Sequence, residues 1–351
     1  MGNRILMVGS VPLETAEEVF RMFAPALGRG LASIPDGELG ERRWWVQRFP
    51  RVLYSRHPDI ETLQRPPEED MKTERLTRRG RGKNWKFRIR EGVRDLRFAN
   101  PGTGMGFTED AVASYAVFRR LRDEGVIPAG VRFQVSIPLP NSSAAPSVIE
   151  IGDVQRFRDA MKIGLRAEAA EIARRIPNED LAIQWDGSWE ITDLYGGVPE
   201  MDPAGAMTRN IEQLRDLSTG IPEAVTLGYH LCFGTFGGWP RFAPPDLGRA
   251  VEYANAMIPA TGRRVDWMHI PTLDTVDEAF YAPLAGLNVG NARVYLGMVH
   301  SMGSFDARLA VAKRHLRDFG LGAYCGFGRI PPSDLPGIVR DHVRALDALE
   351  A

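Results

Sequence analysis

The chain reads as a (β/α)8 barrel, and three observations carry that reading. Short apolar runs alternate with amphipathic helical stretches along most of its length. Eight such runs can be counted, as a closed barrel requires. The rare reactive residues then fall, repeatedly, at the C-terminal ends of those runs, where barrels of this kind place their chemistry. A doubly wound open sheet is the other α/β option, but neither a G-x-G-x-x-G fingerprint after the first run nor a Walker A motif is present.

In chain order the predicted strands are Ile5–Val8, Leu31–Ile34, Val131–Ile137, Leu181–Trp185, Val225–His230, Val265–Ile270, Arg293–Val299 and Gly322–Cys325. The first is a run of four apolar residues ended by Gly9 and Pro12, too short for a signal-peptide core and well suited to a buried strand. Between the strands lie helical patterns over Val154–Ile176, Ala204–Leu217, Asp246–Met257, Asp306–Phe319 and Pro336–Leu349, with Asp153 and Asp306 where N-caps belong. Helices of this length are what crossovers between parallel strands need. The whole chain, 1–351, is expected to be one barrel domain, with residues 43–130 as an insertion at its mouth.

Within that insertion, Lys72–Arg97 carries 11 basic and three acidic residues, interleaved with Trp85 and Phe87. A clamp for an anionic ligand and a solvated loop are both open readings, the second being the default. Asn100–Phe107, with glycines at 102, 104 and 106, resembles a phosphate cradle only superficially, since no strand precedes it.

Composition narrows the class. The 44 Lys+Arg against 45 Asp+Glu leave a net charge of −1, which argues against a nucleic-acid or membrane clamp working through its overall field. No apolar stretch approaches the roughly 20 residues that span a bilayer. Two cysteines exclude a disulfide framework and suit a reducing cytoplasm.

Both cysteines and three of the six histidines mark strand ends: His230 and Cys232 after strand five, His269 after six, His300 after seven and Cys325 after eight. Ser10, Asp36, Glu38 and Asp186 join them from strands one, two and four. His-x-Cys places two ligands on one side of an extended segment, because side chains alternate with period two. With Cys325 and His269 this makes a tetrahedral N/S set, the donor chemistry of zinc. His57, His315 and His342 fall in the insertion and on helices, and surface placement is expected for them.

These residues resemble the catalytic barrel of cobalamin-independent methionine synthase, over most of the chain. Val8-Gly9-Ser10-Val11-Pro12 is similar to the family's Ile-Gly-Ser-aromatic-Pro, Asp36-Gly37-Glu38 to its His-Gly-Glu, and Gln184-Trp185-Asp186 to its Gln-Ile-Asp. His230-Leu231-Cys232 resembles the zinc-binding His-x-Cys, His300-Ser301 the Ile-His-Ser, and Cys325-Gly326-Phe327 the Cys-Gly-Leu. The resemblance implies zinc at His230, Cys232 and Cys325, and amino-acid thiol binding at Ser10, Asp36, Glu38, Asp186 and the adjoining Trp185. It also implies His300 as general acid, with Asp186 and Glu38 completing the catalytic set. The family's remaining zinc ligand is a Glu; here the stretch is Trp267-Met268-His269-Ile270, and His269 stands in its place. The long members' separate N-terminal half is not matched, so the chain resembles the short, core-only form.

The implied chemistry is zinc-dependent transfer of a methyl or alkyl group to a small, homocysteine-like thiol. A free thiol is only slightly ionised at neutral pH, whereas a metal-bound one is deprotonated. A tetrahydrofolate derivative is one option for the donor, and Trp185, Trp189, Trp239 and Phe233 are placed to stack on a planar molecule or simply to pack. The rival readings are a metal-free decarboxylase or lyase of the uroporphyrinogen-decarboxylase-like barrels, using Asp36, Asp186 and nearby arginines, a zinc hydrolase or lyase that activates water, and a closed structural zinc site.

Overall fold

The computed structural model describes residues 4–40, 42, 48–66, 85–98, 105–146, 148–198, 201–235 and 238–350. Its strands are β1 (Ile5–Leu6), β2 (Ser33–Pro35), β3 (Ile60–Gln64), β4 (Lys86–Ile89), β5 (Arg132–Pro138), β6 (Leu181–Gly187), β7 (Thr226–Leu231), β8 (Trp267–Pro271), β9 (Arg293–Gly297) and β10 (Gly320–Gly322). Eight of them form one parallel sheet in the order β1-β10-β9-β8-β7-β6-β5-β2. A parallel bridge between Ile5 and Leu31 links the first and last strands of that order, so the sheet curls into a nearly closed (β/α)8 barrel. The order simply follows the chain, as successive right-handed crossovers dictate.

Among the described residues seven longer helices pack outside: α1 (Ala16–Leu27), α2 (Phe107–Asp123), α3 (Val154–Arg175), α4 (Ala206–Leu214), α5 (Gly248–Thr261), α6 (Phe305–His315) and α7 (Leu335–Glu350). After β8 the crossover shrinks to a short helical pair, Glu278–Tyr281 and Ala282–Gly286. Helix α1 begins with a capping box, Thr15 Oγ1 accepting from Glu18 N while Glu18 Oε2 accepts from Thr15 N. Two predicted caps act otherwise. Asp153 gives its carboxylate to Ile89 N at 2.7 Å instead of to its own helix, and Ser304 takes the N-cap position of α6, leaving Asp306 to pair with Arg344. Among the described residues no helix is long and apolar enough to cross a membrane.

The region 43–130 divides. Helix α2 packs between α1 and α3 as the barrel's own second helix, so the extra material lies before it. There β3 and β4 pair as an antiparallel hairpin, fastened to the loop after β5 by Phe87 N to Val148 O (2.9 Å) and Glu150 N to Phe87 O (2.8 Å). Trp85 and Phe87 are buried and stacked on each other, centroids 5.5 Å apart, so these two aromatics pack rather than face a ligand. The basic residues 72–84 and the glycines at 102 and 104 lie outside the described residues. Gly106 heads α2 in the left-handed conformation with φ of 80°, which glycine adopts without steric cost.

Pleating decides what fills the barrel. Leu6, Ala182, Trp267 and Tyr295 form a buried layer of their own, and Gly228 makes room for it, since a Cβ there would lie 1.9 Å from Trp267 Cε2. Toward the C-terminal ends the filling becomes polar. Gln134 Nε2 donates to Met7 O (3.0 Å) and Val8 O (3.2 Å), and Gln184 Nε2 to Val8 O (2.6 Å) and Asp186 Oδ1 (2.8 Å). Side-chain amides thus tie the short β1 to β5 and β6.

Candidate active site

Strand register sets one row of side chains across the mouth. Asp186 on β6 is level with His230 on β7, and His230 with His269 on β8. All three follow the inward phase of the pleat. Cys232 lies two residues beyond His230, its backbone N bonded to Gly187 O at 2.9 Å. Cys325 lies in the loop after β10, three residues past the strand's end at Gly322, whereas the predicted strand runs on to Cys325 itself.

His230, Cys232 and Cys325 bring one donor atom each to within 4.8 Å of one another. The sulfurs are 3.4 Å apart, Cys232 Sγ–H donating to Cys325 Sγ. That shared proton holds the Cys325 thiol well below its ordinary pKa and, with burial, pushes the Cys232 thiol well up; the adjacent His230 lowers Cys325 further. His230 Nε2 is buried without a hydrogen-bond partner among the described residues. An unpartnered imidazole nitrogen with two sulfurs is a donor set suited to zinc, and a buried polar atom of this kind otherwise costs free energy.

His269 departs from the expected fourth-ligand position. Its Nδ1 lies 2.8 Å from His230 Nδ1 and its Nε2 lies 2.9 Å from Ala323 O. Both nitrogens are therefore engaged, and the ring stands behind His230 rather than in the triangle. Complete burial holds it neutral, its pKa well below the usual value.

The opposite side of the mouth is acidic. Glu38 and Asp186 are buried; burial, with repulsion from Asp36, raises Glu38 to about 8, and burial, with repulsion from Glu38, raises Asp186 well above the ordinary carboxylate range. Glu38 adopts φ of 52°, which is rare for a residue with a Cβ. Gly9 admits its carboxylate, since a Cβ there would sit 2.3 Å from Glu38 Oε1. Asp36 does different work from that predicted. Its oxygens take Arg42 at 2.8 and 3.4 Å, and its Oδ1 also accepts from Glu38 N at 2.9 Å. It is an ion-paired prop for Glu38 rather than a spare charge for a ligand. Ser10 Oγ accepts from Gly328 N at 3.2 Å and thereby pins the β1 loop to the loop carrying Cys325.

Trp185 is corrected outright. It occupies the outward phase between Gln184 and Asp186, is fully buried, and donates Nε1–H to Ser218 Oγ at 3.2 Å, away from the mouth. Trp239 stacks on Tyr324 with centroids 4.1 Å apart and meets Phe233 at 6.0 Å, while Trp189 lies under Arg241 at 4.1 Å. His300 is at the mouth with Nε2 2.9 Å from Thr272 O. Burial and the Arg308 guanidinium bring its pKa down to about 4. It is therefore neutral at pH 7. Of the other histidines, His57 and His315 are half-buried, but His342 is buried against Phe327, contrary to expectation, with Nδ1 2.7 Å from Ile338 O.

Sequence reasoning passed over Arg329 and Gln134. Arg329 donates to Thr235 Oγ1 at 2.6 Å and places its positive charge beside Cys325, Cys232 and Glu38. Its position four residues after Cys325 in a mouth loop was the available signal.

No family model and no curated protein matches the chain. Solved structures do. The B12-independent methionine synthase of Shewanella sp. W3-18-1, in complex with selenomethionine, superposes with a TM-score of 0.59 at 12% identity, over 99% of this chain and 98% of that one. A candidate vitamin-B12-independent methionine synthase from Listeria monocytogenes gives 0.53 at 15% identity, over 95% and 86%. This chain therefore shares its barrel fold with them over nearly its entire length.

Proposed function

We propose that this chain is a zinc-dependent enzyme that transfers a methyl or other small alkyl group to the sulfur of an amino-acid thiol. The observation that carries the reading is the His230–Cys232–Cys325 triangle facing a pair of buried carboxylates. Three protein ligands that leave a fourth position open are the pattern of catalytic zinc rather than of a structural staple. The fold shared with two methionine synthase structures, one holding selenomethionine, supports the same chemistry.

Bound zinc would supply a Lewis acid at which an incoming thiol gives up its proton at neutral pH. Glu38 and Asp186 would hold the substrate ammonium; each is costly to ionise alone in this setting, and a cation between them relieves that cost. Ser10, beside Cys325, would line the same seat. Neutral His300 would take the thiol proton and return it to the donor's leaving atom. Arg42 is committed to Asp36 and Asp110, which removes one of the arginines that a decarboxylase reading needs.

Elemental analysis of protein purified without chelators tests this first. The expected content is about one zinc per chain, with methylated product formed from homocysteine-like thiols in a donor screen that includes methyl-tetrahydrofolates. A chain that neither carries nor takes up zinc would return the decarboxylase-like barrel to first place.

A further inference from the structure

We propose that His269 is a positioning residue that fixes His230 in the Nδ1–H tautomer, so that its bare Nε2 is turned toward Cys232 and Cys325. The metal role of His230 rests on the function proposed above, but the tautomer is a property of the metal-free chain.

The argument starts at Ala323. Its carbonyl oxygen can only accept, and it lies 2.9 Å from His269 Nε2, so that nitrogen carries the hydrogen. A neutral imidazole has one N–H, which leaves His269 Nδ1 as a lone pair. His230 Nδ1 is 2.8 Å away, and a hydrogen bond between the two requires its hydrogen to come from His230. His230 Nε2 is then the second lone pair, and it is the atom found buried with no hydrogen-bond partner among the described residues. One backbone carbonyl thus determines, through two rings, which nitrogen is offered to the cluster. A neutral histidine in water prefers the opposite form, with hydrogen on Nε2.

The niche is built for an imidazole at 269. A Cβ at Gly297 would fall 2.9 Å from His269 Cε1 and Nε2, and one at Gly322 would lie 3.6 Å from Cδ2 and Nε2. Glycine at 297 thus leaves the space that the ring occupies, and the bond to Ala323 O holds the ring there. The arrangement leaves His230 as the imidazole ligand and keeps a fourth position for the substrate sulfur. Partners that orient a ligating imidazole in this way typically contribute about 10–100-fold to metal affinity.

The test is nitrogen NMR on chain labelled at histidine with 15N, together with zinc competition against a chelator. Metal-free wild type should show hydrogen on His230 Nδ1 and on His269 Nε2. In His269→Ala, His230 should revert to the Nε2–H form and zinc affinity should fall about 10–100-fold. His269→Gln, whose amide offers one acceptor and donors, should recover most of that loss. Hydrogen on His230 Nε2 in the wild type would overturn the proposal without any variant having to fold. So would unchanged zinc affinity in His269→Ala, or zinc-induced coordination shifts on both histidines, which would make His269 a ligand. Wild-type chain with the Nδ1–H form that takes up no zinc would uphold the relay and reject the metal reading separately.

Discussion

The two sides of the mouth solve opposite electrostatic problems. On the β7–β10 side, two sulfurs share one proton beside an imidazole, a nitrogen and sulfur donor set. On the β2–β6 side, Glu38 and Asp186 are hard, acidic and pushed toward protonation by burial. The first side suits a metal and the second an organic cation. Under the function proposed above, the difference accounts for an amphoteric small molecule with a sulfur at one end and an ammonium at the other, which would satisfy both sides at once.

Variants that disable one side alone break the comparison if its halves are not independent. Cys232→Ser has the largest expected effect: bound zinc and turnover are both lost, while methionine still binds the carboxylate side in calorimetry. His300→Ala should lower kcat by about 10²–10⁴-fold with zinc content unchanged, as removal of a proton-transfer group does. Glu38→Gln should raise KM for an amino-acid thiol by roughly 10–100-fold, the worth of a charged hydrogen bond, again with full zinc. Since free Glu38 titrates near 8, wild-type kcat/KM should rise with pH up to about that value, and the Gln variant should lack this limb.

The smallest effect is on stability. Glu38's folded pKa, about 8, stands above the 4.5 of a free carboxyl. The proton it retains therefore stabilises the fold fully below about pH 4.5, and this contribution is lost as pH rises through about 8. Glu38→Gln should be no more stable than wild type at pH 4.5 and measurably more stable at pH 9 in denaturant titrations. Equal pH slopes for the two proteins would mean that the acidic side is hydrated.

Much of this geometry could be read from the sequence. His-x-Cys at the end of an apolar run already specifies two donors on one face, and the run's alternation puts Asp186 inward. The same alternation, applied strictly, puts Trp185 outward, which a motif taken as a block of three residues conceals. What sequence could not supply was register. That His269 stands level with His230, close enough for their rings to share a hydrogen bond, depends on how β7 slides against β8, and no periodicity records it. Nor could spacing foretell that Arg42, six positions on, would claim Asp36.

The stacked rings of Trp239 and Tyr324 bridge the loops after β7 and β10, and both meet the edge of His300. An indole locked face-on to a phenol at 4.1 Å is an optical reporter. A molecule that disturbs this stack on entering the mouth would change Trp239 emission, which would time its arrival and departure without a coupled assay. Comparison with a Trp239→Phe chain, which retains the other six tryptophans, would isolate that signal.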